Sequence, residues 1–225
     1  MRARVLTQEI LDNLAPGDAR AIRSRRDLVR INTVMRQAPA MVRLLAGFPT
    51  PKLIADLGGG DGRFMLGVAR RLAKNWPGVT VLIADRQPIV AAETRARFAR
   101  LGWRCESLTG DIFATLPLIT ADIITANLFL HHLDGPMLKQ LLLLGAQRAK
   151  GFVACEPRRS LLALLGAQLV GVLGANDVTR HDAVASVRAG FRGQELSALW
   201  PQGQGWTLRE QGILPFTHGF IAHAL

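Results

Sequence analysis

Two kinds of hydrophobic spacing divide the chain. Up to residue 51, apolar residues fall at Ile22, Leu28, Val29, Ile31, Val34, Met35, Met41, Val42 and Leu44, spacing that predicts helices. Pro16-Gly17-Asp18 interrupts them once, and Phe48-Pro49-Thr50-Pro51 closes the segment with residues that resist helix continuation. From residue 52 onward, short β-like apolar runs alternate with longer helical ones, the pattern of a parallel sheet with crossover helices. Strands are expected at 53–57, 79–84, 103–108, 122–126 and 152–155, and helices at 63–74, 89–101, 136–148 and 193–199. Two final runs, 206–214 and 218–225, read as a closing pair of strands. The segment 1–51 is a helical cap, 52–225 is the main α/β domain, and residues 156–205 form an insertion within it.

The longest apolar stretch, residues 161–175, is broken by Gln168 and three glycines. As a helix it would reach only about 22 Å, short of a hydrocarbon core of roughly 30 Å. It is therefore read as a buried helix or pocket wall rather than a membrane span, with peripheral membrane contact left open.

Composition narrows the classes further. A chain of 225 residues with 49% hydrophobic and 20% charged residues buries one substantial core. Its two cysteines, Cys105 and Cys155, lack the spacing of a metal or redox site, so no metal is expected and a reducing cytoplasm is. The first eleven residues lack the continuous apolar core of a secretory signal. The excess of 28 Lys+Arg over 17 Asp+Glu, net +11, would attract nucleic acid, anionic lipid or acidic substrates and selects none of them.

The chemistry-bearing residues stand where the predicted strands end. The first strand runs into Asp56-Leu57-Gly58-Gly59-Gly60-Asp61-Gly62, in which Gly58, Gly60 and Gly62 alternate between a strand and a helix. There the backbone can turn sharply and approach a ligand where a side chain would collide. A dinucleotide-binding motif would need its third glycine one residue later, at Arg63. The second strand ends in Asp85-Arg86, the third in Thr109-Gly110-Asp111-Ile112-Phe113, and the fourth in Asn127 followed by Leu128-Phe129-Leu130-His131-His132-Leu133. In open α/β sheets ligands bind at this carboxyl edge.

The Gly-x-Gly-x-Gly turn with its three strand-end acids resembles the class I S-adenosylmethionine-dependent methyltransferases, from about residue 52 to the end. The segments Leu128 to Leu133 and Ser186-Val187-Arg188-Ala189-Gly190-Phe191 are similar to those of small bacterial metabolite-methylating members. The resemblance implies a Rossmann-like, doubly wound, seven-stranded, mostly parallel sheet with a C-terminal antiparallel strand, and S-adenosyl-L-methionine as cofactor. It assigns Asp56, Gly58, Gly60 and Gly62 to the cofactor's methionine end and Asp85 to the ribose hydroxyls. Asp111 and the backbone amide of Ile112 go to the adenine, Arg86 to the adenine face, and Asn127 beside the methyl donor.

Methyl transfer from a sulfonium is an in-line displacement that needs positioning and dryness more than covalent catalysis. If the acceptor is a hydroxyl, His131 or His132 stands where a general base would stand. The alternative is one packed and one solvated histidine. The fourth-strand sequence lacks the paired prolines usual in methylators of base amines or glutamine amides. With no tyrosine in the chain, base-stacking aromatics are few, which disfavours nucleic acid. The apolar insertion and the N-terminal helices point to a hydrophobic small-molecule acceptor such as a phenol, polyketide or quinone precursor, with Arg158, Arg159, Arg180 or Arg188 available for a carboxylate or phenolate. O-methylation leads this reading; C-methylation and an RNA methyltransferase gripping through the basic N-terminal helices are the alternatives. Oligomeric state is not legible.

Overall fold

The computed structural model describes residues 3–15, 17–203, 205–213 and 215–225. Pro16, in the expected helix break, and Leu214, at the end of an expected strand, lie outside the described residues, as do the first two residues of the N-terminal stretch and the side chains of Leu28, Val29 and Val34.

Seven strands, β1 Leu53–Leu57, β2 Thr80–Asp85, β3 Arg104–Thr109, β4 Ala121–Asn127, β5 Ala149–Pro157, β6 Trp206–Ile213 and β7 Thr217–Ala224, make one sheet in the order β3-β2-β1-β4-β5-β7-β6. The first five run parallel. β7 pairs antiparallel with β5, and β6 pairs antiparallel with β7, so β7 is the reversed strand. Strand order reverses between β1 and β4, which opens a crevice at their carboxyl ends.

The helices are α1 Ile10–Asn13, α2 Ala19–Val34, α3 Gln37–Leu45, α4 Arg63–Leu72, α5 Ala92–Arg100, α6 Ile112–Thr115, α7 Gly135–Arg148, α8 Leu161–Leu169, α9 Asp177–Ala189 and α10 Glu195–Leu199. On one face of the sheet, α3, α4 and α5 bury Met41, Leu44, Leu45, Met65 and Phe98 in one core cluster. On the other, α7 and α10 bury Leu138, Leu141, Leu142 and Leu196 with Trp200 in a second. Nonpolar burial drives both layers at roughly 25 cal/mol per Å². α3 precedes the first strand yet packs against α4, β5 and β7, because its apolar stripe continues the face that α4 covers.

β5 is longer than the 152–155 run. It begins at Ala149 and ends at Pro157, because β4 and β7 flank it on both sides and supply partners along its length. Chain after Pro157 then leaves the sheet. α8 starts where the Ser160 side chain accepts from the Ala163 amide, and α9 where the Asn176 side chain accepts from Thr179. α9 packs against α1, α2 and α8, and so joins the N-terminal helices to the segment after β5.

The apolar stretch 161–175 differs from a fully buried helix. α8 ends at Leu169 and turns inward its small residues Ala163 and Ala167, leaving Leu161, Leu162, Leu165 and Leu169 exposed. No described helix is long and apolar enough to cross a membrane.

Candidate active site

The turn after β1 is set by its glycines. Gly58, Gly60 and Gly62 adopt φ of 64°, 56° and 76°, left-handed values that carry a steric penalty for any residue with a side chain. Gly58 donates its amide to the carbonyl of Ala84, and a Cβ there would lie 2.3 Å from the Phe129 ring. Gly60 instead faces open space, and its amide donates to Asp85 Oδ2 at 2.9 Å. The Asp85 carboxylate thus fastens the β1 turn, while its Oδ1 accepts from the Gln87 amide at 2.9 Å. An ionised carboxylate has about four lone-pair sites, so acceptor capacity remains on both oxygens.

Asp56 is fully buried on β1. Its Oδ1 accepts from the Thr125 hydroxyl at 2.7 Å, and Oδ2 has no partner among the described residues. Burial pushes the carboxyl up to about 7; the Thr125 hydrogen bond works against that rise and the nearby Asp85 charge adds to it. A buried carboxylate oxygen bordering a cavity is a place for a cation.

At the ends of β2 and β3, Arg86 and Asp111 meet across the edge at 3.1 Å. Asp111 caps α6, its Oδ1 accepting from the Phe113 amide at 2.9 Å, and that bond, followed by the Arg86 guanidinium, holds its carboxyl below the ordinary range. Ile112 opens α6, half-buried against the second core cluster. Asp85, Arg86, Asp111 and Ile112 stand outside the main cavity wall, whereas Asp56, Gly58, Gly60 and Asn127 lie in it. Asn127 ends β4 with a buried Oδ1 that has no partner among the described residues. Leu128 follows at φ 53°, a strained value for a branched side chain, held by its amide's bond to the Cys155 carbonyl.

The two histidines separate sharply. His131 is buried, its side chain 3% exposed, and His132 is exposed with its ring 4.2 Å from that of His131. The reason is Glu156, at the end of β5 and wholly buried. Its Oε1 accepts from the amides of Phe129 and Leu130 at 3.0 and 2.9 Å, and its Oε2 lies 2.8 Å from His131 Nδ1. On the other side, Glu9 Oε1 stands 3.6 Å from His131 Nε2. Burial alone would strip the imidazole of its charge, but the hydrogen bond to Glu156, then that to Glu9, outweighs it and lifts the pKa to about 9. At neutral pH this histidine is therefore an imidazolium flanked by two carboxylates.

Glu9 reaches His131 on an N-terminal strap. The Arg4 guanidinium donates to the carbonyls of Ala189, His131 and Leu133 and lies 4.3 Å over the Phe191 ring. The Asp182 carboxylate accepts from the amides of Ile10 and Leu11 at 2.8 and 3.0 Å, and also from His181, so these neighbouring side chains do face each other. Glu9 is further held by the Ser186 hydroxyl. Glu9 carries no local signal of its position, since only the folded strap brings it to the β4 loop. Glu156 carries one faint signal, an acid directly after the apolar run 152–155.

Glu9, Asp56, Gly58, Gly60, Asn127, His131 and His132 border one cavity of about 1440 Å³, above the roughly 300–1,000 Å³ of ordinary ligand pockets. It runs from Asp56 and Gly60 past Asn127 to Glu9, His131 and His132. Of the four arginines available for an acceptor's anion, none lines it. Arg159 is buried and ion-paired with Glu195, and Arg158 packs on Gly212, because the strand extension and the bridge from Arg158 to Phe191 turn both away.

No family model and no curated protein matches the chain. Among solved structures, it is similar to an O-methyltransferase family protein from Burkholderia thailandensis, with 19% identity and TM-score 0.60, covering 92% of this chain and 60% of that one. It is also similar to the mitomycin 7-O-methyltransferase MmcR, with 22% identity and TM-score 0.59, over 95% of this chain and 60% of that one. The plantazolicin methyltransferase BpumL, solved with SAH, aligns at 12% identity and TM-score 0.67, over 93% of this chain and 92% of the other. This chain thus spans about three fifths of the length of the first two and nearly all of the third. Sheet order, glycine turn and these likenesses agree, and the chain has the fold of the class I S-adenosylmethionine-dependent methyltransferases.

Proposed function

We propose that the protein transfers a methyl group from S-adenosyl-L-methionine to a hydroxyl of a hydrophobic small molecule. The observation that carries this reading is the single cavity joining the unpartnered oxygen of Asp56 to the Glu9, His131 and His132 cluster. The residues suit the cofactor. Asp56 Oδ2 fits its ammonium, the open face of Gly60 leaves room for its backbone approach, Asp85 retains acceptor capacity for ribose hydroxyls, and Asp111, Arg86 and Ile112 edge the adenine end. The cofactor supplies an electrophilic methyl on a sulfonium.

The chain's own task is then to position and to exclude water. α1 and α2 with α8 and α9 form the cap over the acceptor, and the small residues of α8 shape its wall. Asn127, with its unpartnered Oδ1, orients groups between donor and acceptor. The proton of the acceptor hydroxyl leaves to the Glu9 carboxylate on the cavity wall, because His131 beside it already carries its proton at neutral pH and cannot serve as the base.

Two measurements test the reading. Calorimetric titration with S-adenosylhomocysteine should show one site per chain, lost in Asp85→Ala. Methyl-labelled cofactor offered with a panel of phenols and hydroxylated polyketides should label an oxygen. Absence of homocysteine-product binding, or label appearing only in RNA, would sink it.

A further inference from the structure

Along the sequence neither cysteine has metal-binding spacing, yet the fold gathers three other ligand-type residues. Glu9, His131 and His132 each offer a donor atom within 4.8 Å of the others, on the wall of the cavity. Glu9 Oε1 and His131 Nε2 are 3.6 Å apart. Two donors on a tetrahedral ion with bonds of roughly 2.0–2.1 Å stand about 3.4 Å apart, so this pair needs almost no movement to share one.

The surroundings of His131 carry the case further. Its Nδ1 lies 2.8 Å from Glu156, which fixes the ring and turns Nε2 toward Glu9. A carboxylate behind the far nitrogen of a histidine orients a ligand and raises its basicity. Glu156 is itself pinned by the amides of Phe129, Leu130 and His131, at 3.0, 2.9 and 3.3 Å. Glu9 is pinned by Ser186 and by a strap whose next two amides bind Asp182. The surroundings of His131 and Glu9 are therefore built before any ion arrives, and the exposed His132 closes in from solvent as the third donor.

We propose that Glu9, His131 and His132 bind a divalent transition-metal ion of the zinc class, with an open position facing the cavity. Two imidazoles and one carboxylate favour Zn(II), Co(II), Ni(II) or Fe(II) over the oxygen-seeking Mg(II) and Ca(II). Three protein donors leave a place for a water or an acceptor oxygen. That the ion makes the acceptor hydroxyl more acidic rests on the O-methyl transfer reading above; the binding itself does not. Seating the ion displaces the Nε2 proton of His131 to solvent, one proton per ion, so that both imidazoles bind as neutral ligands, and the ion would take over from the Glu9 carboxylate in assisting loss of the acceptor's proton.

The test uses the full chain stripped with chelator. Co(II) is titrated in while its visible absorption is followed, Zn(II) is titrated by calorimetry, and S-adenosylhomocysteine is titrated in parallel. One Co(II) per chain with the strong absorption of a four-coordinate ion is expected, together with tenfold or greater weakening in His132→Ala and in Glu9→Gln. His132 is exposed, so His132→Ala should melt as wild type does, while Glu9→Gln, which removes one carboxylate beside the buried His131, should melt somewhat lower; both should keep homocysteine-product affinity. Binding below one ion per chain, equal affinity in both variants, or the near-ultraviolet charge-transfer band of a cysteine thiolate overturns the site. If Co(II) binds here but chelation leaves turnover intact, the acceptor role falls. If the ion binds and the homocysteine product does not, the methyl-transfer reading falls and the metal site stands.

Discussion

Asp56 holds a carboxylate oxygen that nothing in the described chain satisfies, inside a wall that water barely reaches. Its pKa of about 7 against an ordinary 3.8 means that ionising it costs the empty protein stability as pH climbs through that interval. The difference corresponds to roughly 4 kcal/mol as an upper bound. A bound ammonium offsets the cost, so cofactor binding should favour the ionised form and expel a proton near pH 7. Affinity for S-adenosylhomocysteine is expected to rise roughly five- to tenfold between pH 6 and pH 7.5, with binding heats at pH 7 that vary with the buffer's ionisation enthalpy. Asp56→Asn keeps an acceptor for Thr125 and removes the charge. It should raise the melting temperature of the empty protein at pH 8, flatten the pH dependence and weaken cofactor-product binding at least tenfold. A flat pH profile in wild type would count against the role given to Asp56.

At the scale of elements, the β1 turn and the β4 loop are one construction. Phe129 lies where a Cβ on Gly58 would be, and the Phe129 amide is held by Glu156 at the end of β5. Three strand ends are thereby coupled through one ring and one carboxylate. The two glycines of the turn should fail differently when substituted. Gly58→Ala incurs left-handed strain and also displaces Phe129, so a loss of about 2–3 kcal/mol in denaturant stability is expected, together with weakened cofactor binding. Gly60→Ala meets open space and incurs only the strain, about 1 kcal/mol, yet places a methyl where the ligand must approach. Its stability loss should be the smaller of the two, with product affinity down tenfold or more, as read by urea melts and calorimetry side by side.

For the molecule as a whole, the strap and helices over the cavity are tied on less firmly than the sheet is built. Val5, Ile10 and Leu11 hold by single amide bonds to Arg188 and Asp182, whereas β1 is paired on both sides. Local opening should therefore release the strap well before the core. Hydrogen exchange is expected to protect residues 53–57 and 121–127 at least a hundredfold more than residues 5–11. Asp182→Asn should speed exchange in the strap and leave the sheet unchanged. Uniform acceleration across both would mean that the strap is part of the core's cooperative unit.

Much of this architecture was determined locally. Apolar runs without alternation dictate buried parallel strands, since both faces of a central strand meet helices, and alternating glycines between strand and helix dictate a turn that only they can make. Asp56, Asp85, Asp111 and Asn127 could be placed at the carboxyl edge for the same reason, because a strand's end is marked in its own sequence. What the tertiary structure alone decided is every contact between residues that share no periodicity. Glu9 meets His131 only because a strap crosses the β4 loop; Glu156 buries its charge because the loop's amides and an imidazole converge on it; and α3 joins the core layer because β5 and β7 lie beneath it. Local pattern reports on which face a residue turns, and charge pairing across the fold depends on distances that no pattern along the chain records.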